Sequence, residues 1–120
     1  MDAAVQHGIE LFNCEKFFEC HEVLEAVWTP ERGPRRQFLQ ALIHFAVAFY
    51  HDQRGNPVGA GRQLRKALRK LAPHLPECEG IDTASLYRAG MVAAERAEAG
   101  LPVGRYPQME IRPARKRAAT

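Results

Sequence analysis

The chain contains no run of about 18 apolar residues, so no segment reads as a membrane span. Its opening, Met1-Asp2-Ala3-Ala4, lacks the basic-then-apolar order of a signal peptide, and a cytoplasmic location follows as the default expectation. Cysteine is scarce. Cys14, Cys20 and Cys78 form an odd set without C-x-x-C spacing, which argues against a disulfide framework or a cysteine-rich zinc site. No stretch alternates apolar with polar residues, so no strand is expected, and no internal repeat is evident.

What is present is helical periodicity throughout 120 residues, enough for one domain with a real core. The pattern predicts an all-α fold: a compact helical domain with one buried central helix surrounded by about four others. The domain is expected over residues 1–110. Residues 111–120, with Arg112, Arg115, Lys116 and Arg117, read as a basic disordered tail.

The first helix is expected over about Asp2–Phe12, with Val5, Ile9 and Phe12 on one face and Asn13 as terminator. A second covers about Glu15–Trp28, stopped by Thr29-Pro30 and Gly33-Pro34. The third, about Arg35–Gln53, is apolar around nearly its whole circumference and is therefore the buried centre. Its exception is a narrow polar stripe of Gln37, Gln40, His44 and His51. Asn56-Pro57 reads as a cap and first residue of a fourth helix ending before Pro73. That helix carries Leu64, Leu68 and Leu71 on one face and Arg62, Arg65, Lys66, Arg69 and Lys70 on the other. Asp82 caps a fifth helix, and residues 103–111 are extended, pinned by Tyr106, Met109 and Ile111.

The chemistry concentrates in Glu19-Cys20-His21-Glu22-Val23-Leu24-Glu25. His21 and Glu25 stand one turn apart on the same helix face. Ionisable groups bordering an apolar stripe are costly to bury unless paired, hydrogen-bonded or bound to metal. The short link between the second and third helices favours antiparallel neighbours. One buried or semi-buried cluster is therefore expected: His21, Glu22, Glu25, Gln40, His44 and His51.

Two readings compete. In the first, His21 and Glu25 hold a divalent ion (Zn, Mn, Fe or Ni), with His44 or His51 as a third ligand. Glu22 then acts as a base for the bound water, and Gln40 orients a ligand or substrate. Trp28 belongs to the core or walls a small-molecule pocket. In the second, the same side chains satisfy one another and only fix helix register.

Phe12-Asn13, Phe17-Phe18-Glu19, His21-Glu22-Val23-Leu24-Glu25 and Trp28 resemble the signature of the domain-of-unknown-function 309 family. The likeness continues through Phe38-Leu39-Gln40-Ala41-Leu42-Ile43, Tyr50-His51, Gly55-Asn56 and Gly59-Ala60, so that it covers about residues 8–72. The resemblance implies an all-helical domain with one central helix. Members are often labelled predicted metal-dependent hydrolases, which implies a metal-dependent hydrolase here also; the resemblance identifies no substrate, and the small-molecule substrate of such an enzyme stays unknown. Members often have Gly in the turn after the F-N pair, where this chain has Cys14-Glu15. Many have Gln where this chain has His44, which favours His51 as the third ligand.

The alternative is a non-enzymatic interaction module working through the basic fourth helix and tail on acidic partners. The absence of aromatic residues among those cations argues against single-stranded nucleic acid. A third reading is a metal-free pocket lined by Trp28, Phe45 and the His/Gln stripe. A homodimer is compatible with a small helical domain that keeps a leftover apolar face, but the sequence singles out no face.

Overall fold

The computed structural model describes residues 2–112. Residues 113–120, which hold most of the expected basic tail, lie outside the described residues. Five α-helices follow one another: α1 (Ala3–Asn13), α2 (Phe17–Trp28), α3 (Arg35–Gln53), α4 (Pro57–Leu71) and α5 (Thr83–Glu98), with a 3-10 turn at Ala72–His74. The chain is all-α, as its periodicity predicts; among the described residues only isolated bridges join Cys78 to Ile81 and Ile81 to Ile111.

The helix starts follow their predicted caps. The Asn56 side chain accepts from the Gly59 N–H at 3.0 Å, with Pro57 as the first helical residue. Asp82 accepts from the Ser85 N–H at 3.0 Å. The end of α1 differs from expectation. The left-handed residue there is Glu15, at φ 61°, not Asn13. Asn13 instead takes a long-range role: its Oδ1 accepts from the Met109 N–H at 2.8 Å and its Nδ2 donates to the Met109 carbonyl at 3.1 Å.

α3 is the central element. Phe38, Leu39, Leu42, Ile43, Phe45 and Phe49 are buried along it. α3 packs against both α4 and α2, while α1 packs on α2 and α5 on α4. At one end Phe12, Phe17 and Phe49 meet edge-on or tilted, with ring centroids 5.0–5.8 Å apart. Tyr106 closes this group from the C-terminal segment, 5.0 Å from Phe17 and 5.3 Å from Phe49. Each such ring buries enough apolar area to contribute about 1.5–3 kcal/mol.

Asp52, near the end of α3, fastens that segment. It accepts from the Val103 N–H at 2.9 Å and from the Tyr106 hydroxyl. Burial first, and then the Asp52 carboxylate, push the Tyr106 hydroxyl well above the usual phenol range. Arg112, grouped with the tail in the sequence reading, is fixed to Asp82 at 2.8 Å.

Candidate functional site

α2 and α3 run antiparallel: Phe18 and His21 lie opposite Tyr50 and His51, and Glu25 and Trp28 lie opposite Gln40 and His44. Their outward edges leave a furrow made of three adjoining depressions. The largest, about 360 Å³, is bounded by Phe18, His21, Glu22, Glu25 and Thr29. A second, about 220 Å³, lies between Phe18, His21, Val47, Tyr50 and His51. The third, about 160 Å³, is lined by Glu25, Trp28, Gln40, Ile43 and His44. His21 borders the first two and Glu25 borders the first and third.

His21, Glu22, Glu25, Trp28, Gln40, His44 and His51 all line this furrow, yet they form no single buried cluster, and Phe45, expected to wall a metal-free pocket, is instead fully buried in the core. Gln40 and His51 are eleven residues apart on α3, about 16 Å along its axis, too far to meet at one point. Glu22 and Glu25 are exposed, and His21, Gln40, His44 and His51 are half-buried. Among the described residues, no three His, Cys, Asp or Glu side chains already converge on a common point.

The furrow is organised in pairs. His21 Nε2 stands 2.6 Å from Glu25 Oε2, with the two side chains 29% and 50% exposed. An ion pair so open to water adds at most about 1 kcal/mol to stability. His44 Nδ1 lies 2.7 Å from Gln63 Oε1 on α4. An amide oxygen can only accept, so Nδ1 carries the proton and the lone pair is on Nε2. His51 Nδ1 lies 3.3 Å from Asn56 Nδ2, and Asn56 Oδ1 is already the cap for Gly59. Here Nδ1 accepts and Nε2 holds the proton. The two histidines on α3 are thus held in opposite tautomers.

Burial lowers the His44 pKa below its usual value, and the cations Lys70, Lys66 and Arg69 push it the same way, against the bond to Gln63. Trp28 is partly buried under the Arg36 guanidinium, 3.9 Å from the ring centre. Its Nε1 is buried and makes no hydrogen bond among the described residues. Cys20, on the core side of α2, is fully buried, and burial pushes its thiol up to about 12. It belongs to the packing and not to the furrow.

Gln63 and Asn56 are the partners that sequence reasoning missed. Asn56 gave only its capping signal, and Gln63 sits among the charged residues of α4 with no local pattern to mark it. The tie between Asp52 and Tyr106 crosses 54 residues and has no sequence signal.

The sequence profile of a family described as a domain of unknown function (DUF309) matches residues 5–63. That span holds most of α1, all of α2 and α3 and the first turns of α4, and therefore the whole furrow. The uncharacterized protein YpuF of Bacillus subtilis (strain 168) is 34% identical over 70 residues. The match covers 58% of this chain and 40% of YpuF, so the chain spans less than half the length of that relative.

Proposed function

We propose that this chain, which belongs to the DUF309 family, uses the α2–α3 furrow as a divalent-ion site for hydrolysis of a small-molecule substrate. The observation that carries the reading is the His21–Glu25 pair, 2.6 Å apart and open to solvent at the junction of the three depressions. Consecutive turns of one helix present an imidazole and a carboxylate to one point, a donor set suited to Zn, Mn, Fe or Ni.

The third donor favoured by the geometry is His44. Histidine ligands usually give their second ring N–H to an oxygen that fixes the tautomer. His44 has that arrangement, with Gln63 taking the Nδ1 proton and Nε2 left with its lone pair. His51 has its lone pair engaged by Asn56 and would have to give up that bond. This reverses the preference for His51 that the family resemblance carried. The donors fit an ion in kind, and closing them around it requires side-chain rotation.

An ion there would polarise a substrate oxygen or acidify a bound water. The protein's own contribution is positional. Glu22, exposed beside His21 and Glu25, accepts a proton at the mouth of the largest depression. Gln40 orients a polar group over the third, and Trp28 walls it.

A thermal melt with each of the four ions tests the reading. Binding raises Tm in the native protein, and the rise disappears in His21→Ala and Glu25→Ala. His44→Gln loses more of it than His51→Gln. No shift with any ion would refute the proposal.

One observation favours a non-enzymatic reading: every histidine of the furrow already has an intramolecular partner. On that account the pairs fix packing between α2, α3 and α4, and partner binding takes place elsewhere on the surface.

A further inference from the structure

A second groove, which shares no lining residue with the furrow, lies along α4. It measures about 490 Å³ and runs between α4 and α5. Pro57, Val58, Gly61 and Ala97 make its apolar floor, and Arg62, Arg65, Lys66 and Arg69 make its rim. Arg65 is bound to Glu98 by two contacts of 2.7 and 2.8 Å. Arg62, Lys66 and Arg69 are exposed and form no ion pair among the described residues. Val58 is 62% exposed at the groove's end, an uncovered apolar side chain beside uncompensated cations.

The complementary pattern is on α2 of the same chain. Phe18, 45% exposed, precedes Glu19, Glu22 and Glu25 on the outward face. Glu19 and Glu22 form no ion pair among the described residues, and Glu25 is held by His21. Each stripe therefore has an apolar residue at its N-terminal end, one member already paired, and the rest free. Their lengths agree: Glu19 to Glu25 covers about 9 Å of axis and Arg62 to Arg69 about 10.5 Å. Among the described residues no ion pair joins the two faces within one molecule.

We propose that the α4–α5 groove receives the acidic face of α2 from a second copy of this chain. Phe18 settles on Val58 and Pro57, and Glu19 and Glu22 meet Arg62, Lys66 and Arg69. Nucleic acid fits the groove less well. Its floor is apolar, no aromatic side chain lines it to stack on a base, and Glu98 presents a carboxylate to any phosphate. The contact joins two different surfaces, so it is heterologous and either closes into a ring or propagates. It goes beyond the ion-site reading and does not depend on it.

Sedimentation velocity on the full chain tests this directly. The native protein associates with rising concentration, and association weakens at least about tenfold between roughly 0.05 and 0.5 M salt, as screening shortens the reach of the charges. Arg62→Glu with Arg69→Glu abolishes association, and so does Glu19→Lys with Glu22→Lys. Mixed together, these two variants associate again in alternation, because the reversed charges of each complement those of the other. Circular dichroism confirms that both are folded; should either fail, the neutral versions, Arg62→Gln with Arg69→Gln and Glu19→Gln with Glu22→Gln, each lose association. A native protein that stays monomeric throughout, either reversal variant that associates like the native chain, or a mixture that does not pair would overturn the proposal.

Discussion

The α2–α3 furrow and the α4–α5 groove both border the central helices, and they treat charge in opposite ways. In the furrow every imidazole has a partner within hydrogen-bond distance or close to it: His21 with Glu25, His44 with Gln63, His51 with Asn56. In the groove three cations out of four are exposed and form no ion pair among the described residues. The cause is burial. A half-buried imidazole loses hydration and must find a partner, whereas an exposed guanidinium loses little and needs none. Paired groups set local geometry and tautomers, so they suit chemistry on a small ligand. Free exposed charges set a field, so they suit recognition of a charged surface.

Beneath the two depressions the contrast should be widest. Phe49 is fully buried behind the furrow against Phe12, Phe17 and Tyr106, and Phe49→Ala should cost about 3–5 kcal/mol in urea unfolding. Val58 floors the groove at 62% exposure, and Val58→Ala should stay within about 0.5 kcal/mol. Comparable costs would mean that the groove is part of the core and not a surface.

A smaller effect is expected at the turn between α1 and α2. Glu15 adopts φ 61°, a conformation that costs a side chain roughly 1–2 kcal/mol and glycine far less. Glycine also loses more entropy on folding, about 0.5–1 kcal/mol. Glu15→Gly should therefore stabilise the chain by about 1 kcal/mol or less, measured by the urea midpoint at unchanged slope. A loss of stability would show that the Glu15 side chain makes a contact outweighing its strain.

The smallest effect concerns pH at the start of α5. The Ser85 N–H, and then Arg112, hold the Asp82 carboxyl below the usual carboxylate range. A depressed carboxylate contributes stability that is complete above its unfolded pKa and is lost as pH falls through the folded one. Asp82→Asn keeps a good cap and removes the titration. Its stability should fall less steeply than the native chain's below pH 3.8. Parallel curves would remove Asp82 from the acid response.

Much of this architecture was legible before the structure. Period alone located the five helices, because each has an apolar face that must be buried, and α3 stood out because it is apolar nearly all round. The pairing of α2 with α3 followed from their short link. What sequence could not supply were partners chosen by the third dimension. Asn13 read as a helix terminator because Asn tolerates left-handed geometry, but its amide was needed by Met109 and Glu15 took the turn. The resemblance had marked that turn as one where related chains carry Gly. His44 and His51 looked equivalent on a helical wheel. Only Gln63 and Asn56 on the next helix distinguish their tautomers, and neither position announces itself locally.

On the proposed reading, His21 and Glu25 are poised for an ion and not merely for each other. Elemental analysis of the chain purified without chelator, beside His21→Ala, tests it most directly. Near-stoichiometric Zn, Mn, Fe or Ni is expected in the native protein, with loss of that metal in the variant and a metal-free stability changed by no more than about 1 kcal/mol. A native protein that takes up none of these ions, even after incubation with each, would contradict it and leave the furrow as packing alone.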